Sequence, residues 1–323
     1  MTLPRAPARL VDGHGMPAMG RFAGQADVID WSALAPPFRR SALWRRFHHK
    51  RWHYVALAGE ELFCAVAIVD LGWTSTAFAY AFDRVQRKLV AAFSQDGVPG
   101  LSARLADHAG GASSFRFLSQ RIAIGPDTLS LRCGDFAIDA AFSPAGPLLL
   151  AVGAIDGGSV HATQKSPGMA LRGEVRIGAR RVDLAGGVAS LDYSNGLLAR
   201  DTAWRWACAH RLDLGFNLQA GYFGGNENAL WLNGRLTALG PASFDVDAAD
   251  PLAPWHVTTA DGLLDLVFTA EGARREDKNL LVAASRYVQP IGTFSGWVRE
   301  TEGGEKHVVD GLAGVTEDHA SRW

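Results

Sequence analysis

The sequence predicts an all-β protein, an antiparallel meander folded into a sandwich or an up-and-down barrel. Three observations carry this. Apolar residues recur with period two in nearly every stretch after Arg51, Gly-rich turns punctuate the chain at short intervals, and no helical pattern is interleaved between them. In chain order, Gly59–Glu61 offers a first hairpin turn. Leu129, Leu131 and Cys133 then alternate with polar neighbours, as do Phe136, Ile138, Ala140 and Phe142. Val175 and Ile177 face Val182 and Leu184 across a turn at Gly178 and Ala179. Leu212, Leu214, Phe216 and Leu218 alternate with Asp213, Gly215, Asn217 and Gln219, so the apolar set falls on one face of a strand. Further turns fit Gly224–Asn228 and Gly303–Gly304. Glycine beside a large aromatic, as in Gly215-Phe216, Gly221-Tyr222 and Gly296-Trp297, suits strongly bent strands.

A chain of 323 residues allows two domains, each with its own core. Thirty-two Lys and Arg balance 33 Asp and Glu, which excludes a chain-wide nucleic-acid footprint. Cys64, Cys133 and Cys208 lie far apart among apolar neighbours and read as buried thiols in a reducing compartment. No apolar run is long enough to span a bilayer, so a cytoplasmic location is expected. The Pro- and Gly-rich stretch Pro144–Ser166 suggests a divide, giving residues 1–155 and 156–323 as the two domains. An aromatic and basic strand start, Arg51-Trp52-His53-Tyr54, is echoed by Trp204-Arg205-Trp206 and suggests a duplicated barrel.

One segment breaks the β pattern. Residues 37–54 carry Arg39, Arg40, Arg45, Arg46, Lys50 and Arg51 with no acid, and Phe38, Leu43, Trp44 and Phe47 can share one face of a short helix. Two readings stay open: a helix that docks its aromatics on a barrel end, and a basic element that meets an anionic membrane surface or a phosphate at the inner membrane face.

Several motifs together resemble the family catalogued as domain of unknown function 2804. They are LVDGHGMPAMGRFAG, KRWHYVAL, HATQKS, LDYSNGLLARDTAWRWA, RYVQPIGTFSGWV and GLAGVTEDHASRW, which span the chain. More distantly the arrangement is similar to lipocalin-like two-barrel proteins that include carotenoid 1,2-hydratase, the AttH family and certain pericyclases. The resemblance implies two calycin-like β-barrels sharing an interface, and it implies no particular activity, because the distant group holds both enzymes and binders.

The densest chemical constellation is Asp192-Tyr193-Ser194-Asn195-Gly196 followed by Thr202-Ala203-Trp204-Arg205-Trp206. A carboxyl desolvated beside indoles and a phenol gains a raised pKa and can donate a proton near neutrality. In the lipocalin-like set a short Asp-aromatic stretch and a Trp-bearing strand surround the pocket, so the resemblance carries over Asp192, Tyr193 and Trp204. The competing reading is a turn in which Asp192 bonds its own backbone. Trp204 and Trp206, two apart on a strand, share a face and are expected to line a cavity. His161, Gln164 and Lys165 are candidate ligand contacts, Lys165 as a partner for Asp192 or simply as an exposed lysine. Glu317, Asp318 and His319 near the end read as a solvated terminal turn.

The spacing of His48, His49 and His53 fits no zinc motif, there is no CxxC, and P-loop, GxGxxG and GxSxG patterns are missing, so neither metal nor cofactor is expected. The expected function is a cofactor-free lyase, hydratase or isomerase acting on a mostly apolar small molecule of isoprenoid or polyketide type. The alternative is a carrier of lipid or another hydrophobic ligand in the same barrel.

Overall fold

The computed structural model describes residues 3–143, 146–279 and 283–323. The strands fall into two antiparallel sheets, one of 15 strands and one of nine among the described residues. The first is a nearly closed barrel and the second a half-barrel, so the all-β, two-barrel expectation holds. The turns lie where glycine placed them. Gly59–Glu61 joins the strands His49–Ala58 and Leu62–Asp70, and Gly178-Ala179 joins Met169–Ile177 to Arg180–Asp183. At Gly221 and Gly296 the backbone has φ of 133° and 141°, and a Cβ would collide with the carbonyl oxygens of Ala203 and Asp265 on the neighbouring strands. Glycine is therefore required at these bends.

The sheets part at a different place from the expected 155/156. Strand Val160–Lys165 pairs with Leu149–Ala154 on one side and Val188–Leu197 on the other, and Val188–Leu197 pairs with His49–Ala58. Everything through Leu197 thus belongs to the first sheet, and the second begins with Asp201–His210. Much of the stretch that suggests the divide is a hairpin of Leu149–Ala154 and Val160–Lys165, whose turn is closed by Ile155 N–H donating to Ser159 O. Pro144 and Ala145 lie outside the described residues. The true crossover, residues 198–200, has neither Pro nor Gly to mark it.

Alternation divides each strand between two packing jobs. On His49–Ala58, His53, Val55 and Leu57 point into the first barrel's core with Val66, Ile68 and Phe115, whereas Tyr54 and Ala56 join Trp206, Cys208, Ile291 and Val315 between the sheets. The second core is built on Phe216, Leu218, Trp255, Phe268 and Phe294. The two aromatic strand starts echoed in the sequence meet here. Trp52 stacks on Trp204 with centroids 6.4 Å apart, and Tyr54 meets Trp206 edge-on at 5.9 Å. All three cysteines are buried and free, and burial pushes their thiols up, Cys64 and Cys208 to about 12 and Cys133 to about 11.

The basic segment forms a short helix, Ala42–His48, capped by the Ser41 hydroxyl accepting from Trp44 N–H. Its apolar residues do not share one buried face. Phe38 and Trp44 pack on the first core, but Leu43 is 71% and Phe47 49% exposed, because seven residues make only two turns. Nor do its six cations form one patch. Lys50 is buried and donates to Leu71 O, Arg51 pairs with Asp70 and Asp107, Arg40 donates to three carbonyls and Arg45 donates to Trp31 O. Arg39 and Arg46 face solvent. Among the described residues no helix is long and apolar enough to cross a membrane.

Candidate functional site

A cavity of about 420 Å³ lies where the two sheets face each other, walled by side chains from both. Its innermost group is built by register. Lys165 and Asp192 are directly opposite on paired strands, and their side chains meet at 2.6 Å. Glu227 arrives from the second sheet, on the loop after Leu214–Gly221, and lies 3.4 Å from the same ammonium. That loop is pinned by Asn217, whose amide donates to Glu227 O, and by Asn228, which accepts from Gln219 N–H and donates to Gly240 O. The side chains of Lys165, Asp192 and Glu227 are 4%, 15% and 5% exposed.

Two carboxyls, Glu227 buried and Asp192 largely so, therefore share one cation. Burial raises the pKa of Asp192, an effect that Lys165 opposes but does not cancel, and a hydrogen bond from Trp52 opposes it further. Burial likewise raises Glu227, again against Lys165. For Lys165 burial works the other way and would lower its pKa, but the two carboxyls outweigh burial and hold it above the usual ammonium value. The ammonium keeps its proton, and the two acids titrate as a coupled pair that gives up its second proton at raised pH.

Around this group the wall is aromatic. Trp204 lies 4.2 Å from His319 and 5.5 Å from Tyr222, centroid to centroid, and Trp206 is oriented by its indole N–H donating to Asn217 Oδ1 at 2.8 Å. Glu317 accepts from Trp204 Nε1 at 2.9 Å and from Gln289 Nε2 at 2.8 Å. His319 Nε2 is shared by the hydroxyls of Ser285 and Ser321, at 2.9 and 2.8 Å. Its Nδ1 stands 3.6 Å from Glu317, beyond hydrogen-bond range. Farther along the wall, Arg274 is buried between Phe78 and Tyr287 and bonded to Glu276, while Lys278 pairs with Glu276 and Asp96. These charges compensate one another.

Of the residues singled out in the sequence, Asp192, Lys165, Trp204 and Trp206 come together on this wall. Asp192 closes no turn of its own, since it sits mid-strand. Tyr193 does not join it. As the next residue on the strand it points into the first barrel, donates to Ala106 O at 2.7 Å and meets His53 edge-on. Gln164 shares that interior, accepting from Ala109 N–H. His161 stands behind the wall against Trp52, Tyr222 and Phe223, with its Nε2 3.3 Å from the Tyr222 hydroxyl. Gly196 lets this ring pack, because a Cβ there would strike His161 Nδ1. His48, His49 and His53 turn to Leu198 O, Asn195 Oδ1 and Ser113 Oγ, three separate partners. Glu317 and His319 are not a solvated turn: they occupy one face of the strand His307–Arg322, while Asp318 points away to Arg205 and Arg286. Glu227, Gln219, Tyr222 and Tyr287 were missed. The E-x-H alternation was a readable sign for the terminal pair, whereas Glu227 sits in a loop without a local pattern.

A nearly closed β-barrel and a half-barrel holding an aromatic cavity with a charge cluster at their junction define the class. The chain belongs to the family described as "Domain of unknown function (DUF2804)", whose model matches residues 5–323. Three solved structures are similar in fold. An AttH-like protein of Nitrosomonas europaea matches with TM-score 0.56 and 14% identity over 89% of this chain and 98% of its own. Kievitone hydratase of Nectria haematococca matches with TM-score 0.52 and 11% identity over 100% and 98%. CghA, solved with Sch210972, matches with TM-score 0.57 and 11% identity over 99% and 98%. No curated protein matches the sequence.

Proposed function

We propose that the protein is a cofactor-free hydratase, lyase or isomerase that moves a proton to or from a mostly apolar small molecule held in the junction cavity. The observation that carries this is the pair of buried carboxyls, Asp192 and Glu227, sharing the single ammonium of Lys165. With one positive charge between them, one carboxylate is compensated and the other acid holds its proton to higher pH, which is the state a general acid needs. Asp192, on the shorter ion pair, is the compensated base, and Glu227, farther from the ammonium, is the acid. Trp204, Trp206, Tyr222 and Tyr287 supply an apolar wall that binds the substrate by burial, about 25 cal/mol per Å² of apolar surface, and present π faces to positive charge that develops on protonation of a double bond. The occurrence of the same fold in a protein named as a hydratase supports the reading.

The test begins with the ligand extracted from the purified protein and identified by mass spectrometry. Incubated with the protein in deuterated buffer, it or its product gains carbon-bound deuterium, and Asp192→Asn and Glu227→Gln each slow that gain at least a hundredfold. Retained binding with no exchange by the unaltered protein supports the alternative, a carrier of hydrophobic ligands built on the same cavity.

A further inference from the structure

Gln219 lies on the strand Leu214–Gly221, directly across from Trp206, in the wall of the cavity next to the loop that carries Glu227. It is 2% exposed, yet neither its amide oxygen nor its amide nitrogen meets a hydrogen-bond partner among the described residues. Two neighbouring amides are already engaged. Asn217 is occupied by Trp206 and the Glu227 carbonyl, and Asn228 by the backbone of Gln219 and Gly240. A buried amide that lacks partners costs stability, so one kept in a cavity wall is a donor and an acceptor left over for whatever enters.

The charges beside it restrict what that is. Asp192 and Glu227 face one ammonium, and Glu317 lies on the same wall with its oxygens held by Trp204 and Gln289. The inner end thus offers no uncompensated cation, and a carboxylate or phosphate entering it meets an excess of acids. The other cations of the wall are paired as well, Arg274 and Lys278 with Glu276 and Asp96, and Arg322 with Asp201.

We propose that Gln219 is the specificity-determining residue of the cavity and that it reads an uncharged head group presenting a hydrogen-bond donor and an acceptor side by side, as in a carboxamide, a lactam or an enolised 1,3-dicarbonyl, at the end of an apolar or aromatic body. This deepens the function proposed above and rests on the same cavity, but it concerns recognition alone. An amide side chain satisfies such a head with two hydrogen bonds, whereas an ester answers only one and an anion adds repulsion.

Calorimetric titration with three probes that share one body and do not react separates the two proposals: 4-phenylbutanamide, its methyl ester counterpart and 4-phenylbutanoate, at about pH 7.5. The amide binds at least tenfold more tightly than either of the others, and Gln219→Met, which preserves volume, reduces that preference to within about twofold. The same variant melts no lower than the unaltered protein, because it removes an amide that has no partner in the fold. Equal affinities, a preference for the anion, a preference that survives Gln219→Met, no detectable binding of the amide, or a melting temperature several degrees lower each overturns the assignment. Loss of deuterium exchange with the amide preference intact would sink the catalytic reading alone.

Discussion

Lys165 sets the electrostatics of the cavity at the level of a single residue. It is flanked by Asp192 and Glu227, and its removal leaves two buried carboxyls facing each other. Breaking such a cluster costs about 3–5 kcal/mol. The pH dependence follows from the sign of the shifts. In Lys165→Met both acids have folded-state pKa values raised above their unfolded values, so the variant is least destabilised at low pH, where both are protonated, and loses stability as pH rises through the raised values. Denaturant melts at about pH 5 and about pH 8 check this, and a deficit that is the same at both would mean that the acids are not titrating against each other. The composition of the HATQKS segment pointed to Lys165, and desolvation by indoles to Asp192. Glu227 was illegible, because only the fold brings its loop to them from the other sheet.

At the level of the element, period two decides which neighbours can act together. The strand Val188–Leu197 sends Asp192 to the cavity and Tyr193 to the barrel core, so the catalytic place expected for Tyr193 alongside Asp192 lies on the other side of the sheet, for a geometric reason that the alternation itself contains. Tyr193→Phe therefore lowers stability by about 1 kcal/mol through the hydrogen bond lost to Ala106 O and leaves probe binding unchanged. Trp204→Ala, on the facing strand, weakens binding of 4-phenylbutanamide at least tenfold. Parallel melts and titrations distinguish the two, and a binding defect in Tyr193→Phe would place its ring in the cavity wall after all. Strand existence and hairpin turns were legible because glycine and alternation mark them locally. The divide between the sheets was not: Pro and Gly mark a turn inside the first sheet, and the actual crossover at 198–200 carries no turn residues. The short helix misled for a related reason. At seven residues its orientation is set by the packing of Trp44, and of Phe38 ahead of the helix, and not by its own periodicity.

At the level of the whole molecule, the site exists only because the two sheets face each other, one contributing Lys165 and Asp192 and the other Glu227, Trp204 and Glu317. The same close packing buries histidines as neutral rings. His53, His161 and His210 have pKa values lowered by burial to about 3, so their contribution to stability is complete above the unfolded value near 6.5 and is lost as pH falls toward about 3. Unfolding free energies measured from about pH 7 to about pH 4 fall, because up to three protons per chain taken up by these rings on unfolding outweigh those that Asp192 and Glu227 already hold in the folded state, and stability that rises over this range would mean that the rings are open to water. Whether the junction does acid/base chemistry turns on one protonation state. Difference infrared spectroscopy of the unaltered protein against Asp192→Asn and Glu227→Gln reads it without any substrate. The account predicts a protonated-carboxyl band that persists above the pH at which an ordinary glutamate ionises and disappears in Glu227→Gln, whereas spectra showing both carboxyls ionised over the ordinary carboxylate range would contradict it.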